Sequence, residues 1–129
     1  MHKFHNPSEI AGPFSHYEHG VESELPGRLL HISGQTGVAA DGDVPAGIEQ
    51  QTEMVWQNIC AILGAAGMQP QDIVKTNSYI MDRAHVTVLA KVRKQFLGEE
   101  HKAASTTLLV SGLVRPEWLV EIDAVAIKR

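Results

Sequence analysis

The chain has 129 residues, enough for one domain with a real core and too few for two typical domains. It is 43% hydrophobic and 20% charged, with a formal net charge of −4 and no run of Lys or Arg longer than two. That balance argues against a protein that grips a phosphate backbone, which needs a basic patch.

Residues 1–27 are polar, hold four of the seven histidines and include Pro7, Pro13 and Pro26. They read as loop or extended chain with one short edge strand near 17–22. Residues 28–33 (RLLHIS) predict a strand ended by Gly34, and 37–44 a strand stub and turn around Asp41-Gly42. Ile48, Thr52, Val55, Ile59, Ile62 and Ala66 recur at helical spacing. They predict a helix over 46–66, with Pro45 in the first turn and Gly67 as the stop. Cys60 lies in it among apolar neighbours and reads as an inert core thiol; as the only cysteine it excludes an internal disulfide. Residues 73–81 predict the next strand. Asp82 then caps a helix over 84–97 that turns Val86, Leu89, Val92 and Phe96 inward before Gly98 ends it.

Residues 103–127 read as two strands joined by a short turn containing Gly112 and Pro116. On the second strand Trp118, Val120, Ile122, Ala124 and Ala126 share one face, while Leu119, Glu121, Asp123 and Val125 share the other. Both faces are partly apolar, so a carboxylate there is either paired or put to use. The two ways to read Asp123 beside Glu121 are a buried pair, which raises one pKa, or a structural residue facing solvent or a lysine.

The order strand, helix, strand, helix, strand, strand predicts an α+β domain with a mixed sheet. The crossovers give parallel pairing and the closing strand pair an antiparallel one. Two helices cover one face, and the other, with Leu119, Val125 and Leu108 or Leu109, calls for a second subunit. No basic segment followed by an apolar run opens the chain and no 18-residue apolar segment occurs, so a soluble, cytoplasmic protein without a membrane partner is expected. His16-x-x-His19 lacks a third ligand at motif spacing, so no metal is assigned, and His31 reads as a hydrogen-bonded residue of the sheet face. Trp56 and Trp118 read as packing residues.

Five stretches in order carry a resemblance: Ile32-Ser33-Gly34-Gln35, residues 51–67, Asp72-Ile73-Val74-Lys75-Thr76, residues 103–106 and residues 120–126. From about Tyr17 to its end the chain resembles the YjgF/RidA family of small trimeric proteins, also described as endoribonuclease L-PSP. The resemblance implies a chorismate-mutase-like fold with both helices on one face of the sheet, three subunits packed sheet-inward and clefts between neighbours. It implies hydrolysis of reactive enamines and imines to ketones and ammonia, without a cofactor. An arginine at the start of the penultimate strand clamps the substrate carboxylate there, and a glutamate on the last strand positions water.

Carried over, that glutamate is Glu121, the glycine turn is Ser33-Gly34, and the cleft aromatic is Tyr17, with Phe14 a competing match. The arginine position is Ala104, Thr106 stands where several members have a cysteine, and Ala90 where an asparagine often lies. Losing a bidentate clamp puts the usual amino-acid-derived imines in doubt. Lys102, His101 or Arg115 would have to compensate; Ser105, Thr106 and Thr107 read mainly as ladder residues, with Ser105 or Thr106 a candidate for the cleft lining. The expected function is a small-molecule C–N hydrolase of the enamine/imine deaminase type with a different substrate. The alternative is a non-catalytic ligand-binding or chaperone-like trimer. Ribonuclease action is disfavoured by the acidic composition.

Overall fold

The computed structural model describes residues 2–13, 17–101 and 103–129. Phe14, His16 and Lys102, each weighed above as a site residue, lie outside the described residues. The strands are β1 (His2–His5), β2 (Gly20–Leu25), β3 (Gly27–Thr36), β4 (Ile73–Ile80), β5 (Ala104–Leu109) and β6 (Val120–Lys128), and the helices are α1 (Ile48–Ala65) and α2 (Val86–Leu97). They form one six-stranded sheet in the order β1-β2-β3-β6-β4-β5. Only β4 and β5 pair in parallel; the other neighbours are antiparallel.

Both helices pack on one face of this sheet. Val55, Ile59, Ile62 and Leu63 of α1, with Leu89 and Val92 of α2, meet Leu30, Ile32, Ile80, Val120, Ile122, Ala124 and Ala126. Trp56 stacks on Phe96 between the two helices, ring centroids 6.2 Å apart. Period-two alternation fixes the register of β6. A slip by one residue would push Glu121 and Asp123 under the helices and expose Val120 and Ile122, each worth about 1.5–3 kcal/mol when buried. The opposite face is uncovered in one chain: Phe4, Leu108 and Ile127 are 61%, 50% and 44% exposed.

Several expectations change. The last two strands are not a hairpin. β5 runs parallel to β4 at the sheet edge, and β6 returns antiparallel between β3 and β4. The linking segment 110–119 therefore carries the chain past the end of β4 rather than joining neighbouring strands. The chain before β3 holds two strands, and β2 is interior because β1 pairs along its outer side. No strand forms in 37–44; a turn closes there instead, with Gly42 at φ 94° donating to the Ala39 carbonyl at 2.9 Å. Gly47 caps α1, so Pro45 lies before it. Gly67, at φ 68°, follows its C-cap as anticipated. Asp82 accepts from the Ala84 amide at 2.9 Å, capping a single 3-10 turn that leads into α2, and Val86 is exposed rather than turned inward.

Candidate active site

The site begins with an irregularity in the backbone. Between Ile32 and Gln35 the β3–β6 register slips, so Ser33-Gly34 bulges out of the ladder. The Ser33 amide donates to the His19 carbonyl at 2.7 Å and the Ser33 hydroxyl donates to the Glu18 carbonyl. Gly34 is pressed against the neighbouring strand: a Cβ there would lie 2.8 Å from Glu121 Cδ and 3.0 Å from Cγ. Only a residue without a side chain lets the carboxylate occupy that spot.

Around it lies a cleft of about 360 Å³, within the range of small-molecule sites. Tyr17, Ser33, Gly34 and Glu121 all line it, as do His19, Gln35, Val114 and Trp118. His19 is buried, and its ring is held in one tautomer. Nε2–H donates to the Ala11 carbonyl at 2.8 Å, which can only accept, so Nδ1 accepts from the Gln35 amide at 3.0 Å. Tyr17 meets this ring edge-on at 5.7 Å. Asn58 closes the floor by donating to the Thr36 and Val38 carbonyls at 3.3 and 3.0 Å. Trp118 forms the opposite wall with the Arg115 guanidinium 5.7 Å from its ring centroid. Gln51, 1% exposed, ties that wall to α1 by donating to the Glu117 carbonyl and accepting from the Leu119 amide, each at 2.9 Å.

Burial raises the pKa of the Glu121 carboxyl, and the negative charge of Asp123 raises it further. Asp123 is itself satisfied: Asn77 Nδ2 donates to it at 2.9 Å and the Tyr79 hydroxyl at 3.0 Å. Its hydrogen bond to Asp123 in turn pushes the Tyr79 hydroxyl pKa up, with burial and the charges of Asp123 and Glu121 adding to the shift. Asp123 is thus a structural acceptor, and Glu121 is left as the carboxylate facing the cleft.

Ala104 and Thr106 are elsewhere. Both lie on the edge strand, exposed, paired in register with Lys75 and Asn77 of β4. Lys75 is in turn opposite Val125, four residues along β6 from Glu121 and one strand further in. At about 3.3 Å per residue and 4.8 Å per strand, Ala104 is on the order of 15 Å from Glu121 within one chain.

The sequence profile of the endoribonuclease L-PSP family matches residues 8–128. The chain belongs to this family, the YjgF/RidA group. It is 30% identical over 131 residues to TdcF of Escherichia coli K12, covering 99% of this chain and 98% of TdcF. It is also 30% identical over 126 residues to the 2-iminobutanoate/2-iminopropanoate deaminase of the same strain, covering 96% and 94%. The fold matches a crystal structure from Thermotoga maritima MSB8 with a TM-score of 0.92, at 27% identity and covering 100% and 99% of the two chains. It matches that of E. coli TdcF with bound serine at 0.88, with 27% identity and 98% and 99% coverage.

For an L-PSP chain, the four residues expected on β3, β6 and the segment before β2 do converge, while the two on β5 stand apart. Of the cations weighed as substitutes for an arginine at 104, His101 is turned to the helix side. There its Nε2 donates to the Ile73 carbonyl at 2.9 Å, in a separate hollow beside Arg93 and Lys94. Arg115 stays at the cleft rim over Trp118. His31 is exposed on the open face, and among the described residues its ring has no hydrogen-bond partner, contrary to the expectation. Burial raises the pKa of the Cys60 thiol, which takes no part in the cleft. Among the described residues no three His, Cys, Asp or Glu groups converge as a metal site. Trp118, read as packing, belongs to the cleft, and the pinning roles of His19 and Gln35 were not anticipated. The Gly-containing segment 110–114, which carries Val114 to the mouth, was the available signal.

Proposed function

We propose that the chain is a hydrolytic deaminase acting on a small imine or enamine, in a cleft completed by a neighbouring copy within a homotrimer. The observation that carries this reading is Glu121: a half-buried carboxylate of raised pKa, facing a small cleft against a glycine. Such a group is a stronger base than a solvated glutamate and holds a water in place. The water oxygen adds to the C=N carbon while its proton passes to Glu121. The carboxyl returns that proton to the nitrogen, giving a carbinolamine, then takes the hydroxyl proton and delivers it to the nitrogen as the C–N bond breaks, yielding ketone and ammonia. An enamine takes a proton on carbon first and joins the same path. Ser33, Gly34 and Tyr17 contact the substrate, and no step of this scheme calls for a cofactor.

The open, partly apolar sheet face supports packing against two further copies, which would bring a neighbour's β5, with Ala104 and Thr106, to the mouth of the cleft. The related 2-iminobutanoate/2-iminopropanoate deaminase supports the reaction class. Because position 104 is alanine, the substrate is one that needs no bidentate guanidinium there. No described helix is long and apolar enough to cross a membrane, and a cytoplasmic location is part of the proposal. The net charge of −4 disfavours RNA as substrate; steeply salt-dependent RNA binding would reverse that judgement.

Glu121→Gln is expected to lower kcat on a panel of imines by about 10²–10⁴-fold. An unchanged rate sinks the mechanism, and a scattering mass of one chain removes the shared cleft. The second reading, a binding trimer without turnover, rests on Ala104. If Ala104→Arg alone creates hydrolysis where the parent has none, that reading is correct.

A further inference from the structure

Position 104 is not left without a cation. Lys75 of β4 lies on the open face, directly in register with Ala104 of the edge strand. Its Nζ reaches along β5 to donate to the Thr106 hydroxyl at 2.9 Å. Ala104 and Thr106 are two apart and share that face, so the lysine side chain spans the space a large residue at 104 would occupy. The carboxylate one row along, Asp123, is already engaged by Asn77 and Tyr79. Among the described residues no carboxylate pairs with Lys75. An unneutralised ammonium therefore stands beside two exposed residues at the sheet edge.

We infer that Lys75 is the anion anchor of the site, holding the carboxylate of an imino acid or of its 2-oxo acid product at the β5 side of the cleft in place of an arginine at 104. This rests on the shared cleft proposed above. The Thr106 oxygen accepts from Lys75, which leaves its own O–H to donate to the second carboxylate oxygen. An ammonium is a point charge with three rotatable donors and lacks the planar fork of a guanidinium. The grip is thus one charge plus one hydroxyl, about which the acid is free to tilt. Acidic substrates accordingly remain within reach of a cleft that has no arginine clamp.

The test uses the assembled protein, with 2-oxobutanoate as the acidic probe and 2-butanone as its uncharged counterpart, both followed by titration calorimetry. The parent is expected to prefer the acid. Lys75→Met should weaken 2-oxobutanoate at least tenfold and leave 2-butanone within twofold. Lys75→Arg should retain most of the acid affinity, and adding Ala104→Arg to Lys75→Met should restore it. With an imino acid as substrate, Lys75→Met should raise KM with kcat largely kept. An unfolding midpoint and scattering mass equal to the parent's show that the variant is intact. The inference is overturned if the parent shows no preference for the acid, or if Lys75→Met binds it within twofold of the parent. The hydrolase reading fails separately: acid binding that depends on Lys75, without turnover of any imine, refutes the reaction and leaves the anchor standing.

Discussion

The contact between Gly34 and Glu121 makes a demanding prediction. Gly34 does not adopt the left-handed backbone that favours glycine, so Gly34→Ala strains no dihedral. Its new Cβ would overlap Glu121 Oε2 and lie 2.8 Å from Cδ, where ordinary contact begins at 3.4 Å, so the carboxyl must retreat by on the order of 1 Å. The obstructing atoms belong to the far end of a flexible side chain, and an off-rotamer turn there costs about 0.5–1.5 kcal/mol. The fold should survive with a small fall in the unfolding midpoint. Catalysis should not, since misplacing a catalytic group by about 1 Å costs on the order of 10²-fold. The assay is kcat/KM on the imine the parent turns over fastest, paired with urea unfolding of the same samples. Activity within threefold of the parent would show that the position of Glu121 against Gly34 is not the working geometry. A loss of more than about 3 kcal/mol would show that Gly34 serves the fold instead.

Two further outcomes follow from the same residues. Because burial and then Asp123 raise the Glu121 pKa, the acidic limb of the rate profile should lie above the ordinary glutamate range. Asp123→Asn should move that limb to lower pH without bringing it fully to the ordinary value, since burial is the larger cause. The raised folded-state pKa means that Glu121 favours the native state below its unfolded pKa. That contribution is lost as pH rises through the folded value. Glu121→Gln should therefore gain stability relative to the parent at neutral pH and lose the advantage in acid, as read by unfolding midpoints at several pH values. Gln51→Ala strands the Pro45 and Glu117 carbonyls and the Leu119 amide, all bonded to its side chain at 2.8–2.9 Å. It should cost about 2–4 kcal/mol with an unchanged m-value, and a variant as stable as the parent would contradict the buried, fully bonded amide.

The elements with local causes were legible in the sequence. The helical stripe through Val55, Ile59 and Ile62, the strand 28–33 and the two faces of 118–126 depend on spacing alone, and all three are present. Glu121 stood out because its neighbours at i±1 are apolar. What was not legible depends on pairing between distant residues. A ten-residue segment with Gly112 and Pro116 reads as a turn, yet it carries the chain past β4 so that β6 can enter between β3 and β4. β1 has no alternation of its own and exists because β2 offers it an edge. Lys75 lies in one of the stretches that carry the resemblance, yet its proximity to Ala104 follows only from the β4–β5 register.

That register also explains why the candidate residues fall into two groups. β6 and β4 stand between the β3 bulge and the β5 edge, and three strand spacings, on the order of 14 Å, keep the two apart. Glu121, at its start, is served by Ser33-Gly34 on one side and Tyr79 on the other, whereas Val125, near its end, lies level with Lys75 and, one strand out, Ala104. The backbones of Glu121 and Lys75 are on the order of 14 Å apart on one rigid sheet, and the Lys75 ammonium is turned outward to Thr106 on the edge strand, away from the cleft. On the shared-cleft reading the two groups serve the same molecule from different copies, with the uncovered apolar face bringing those copies together. The division of the site therefore carries a sharper consequence than the exposed hydrophobic residues do. Mixing Glu121→Gln chains with Lys75→Met chains should regenerate, in a fraction of the clefts, both an intact water-positioning carboxylate and an intact anchor. Recovery of activity on an imino acid in the mixture, above the sum of the two variants alone, is the expected result. No recovery after demonstrated subunit exchange would mean that both groups act within a single chain or that they do not act on the same molecule.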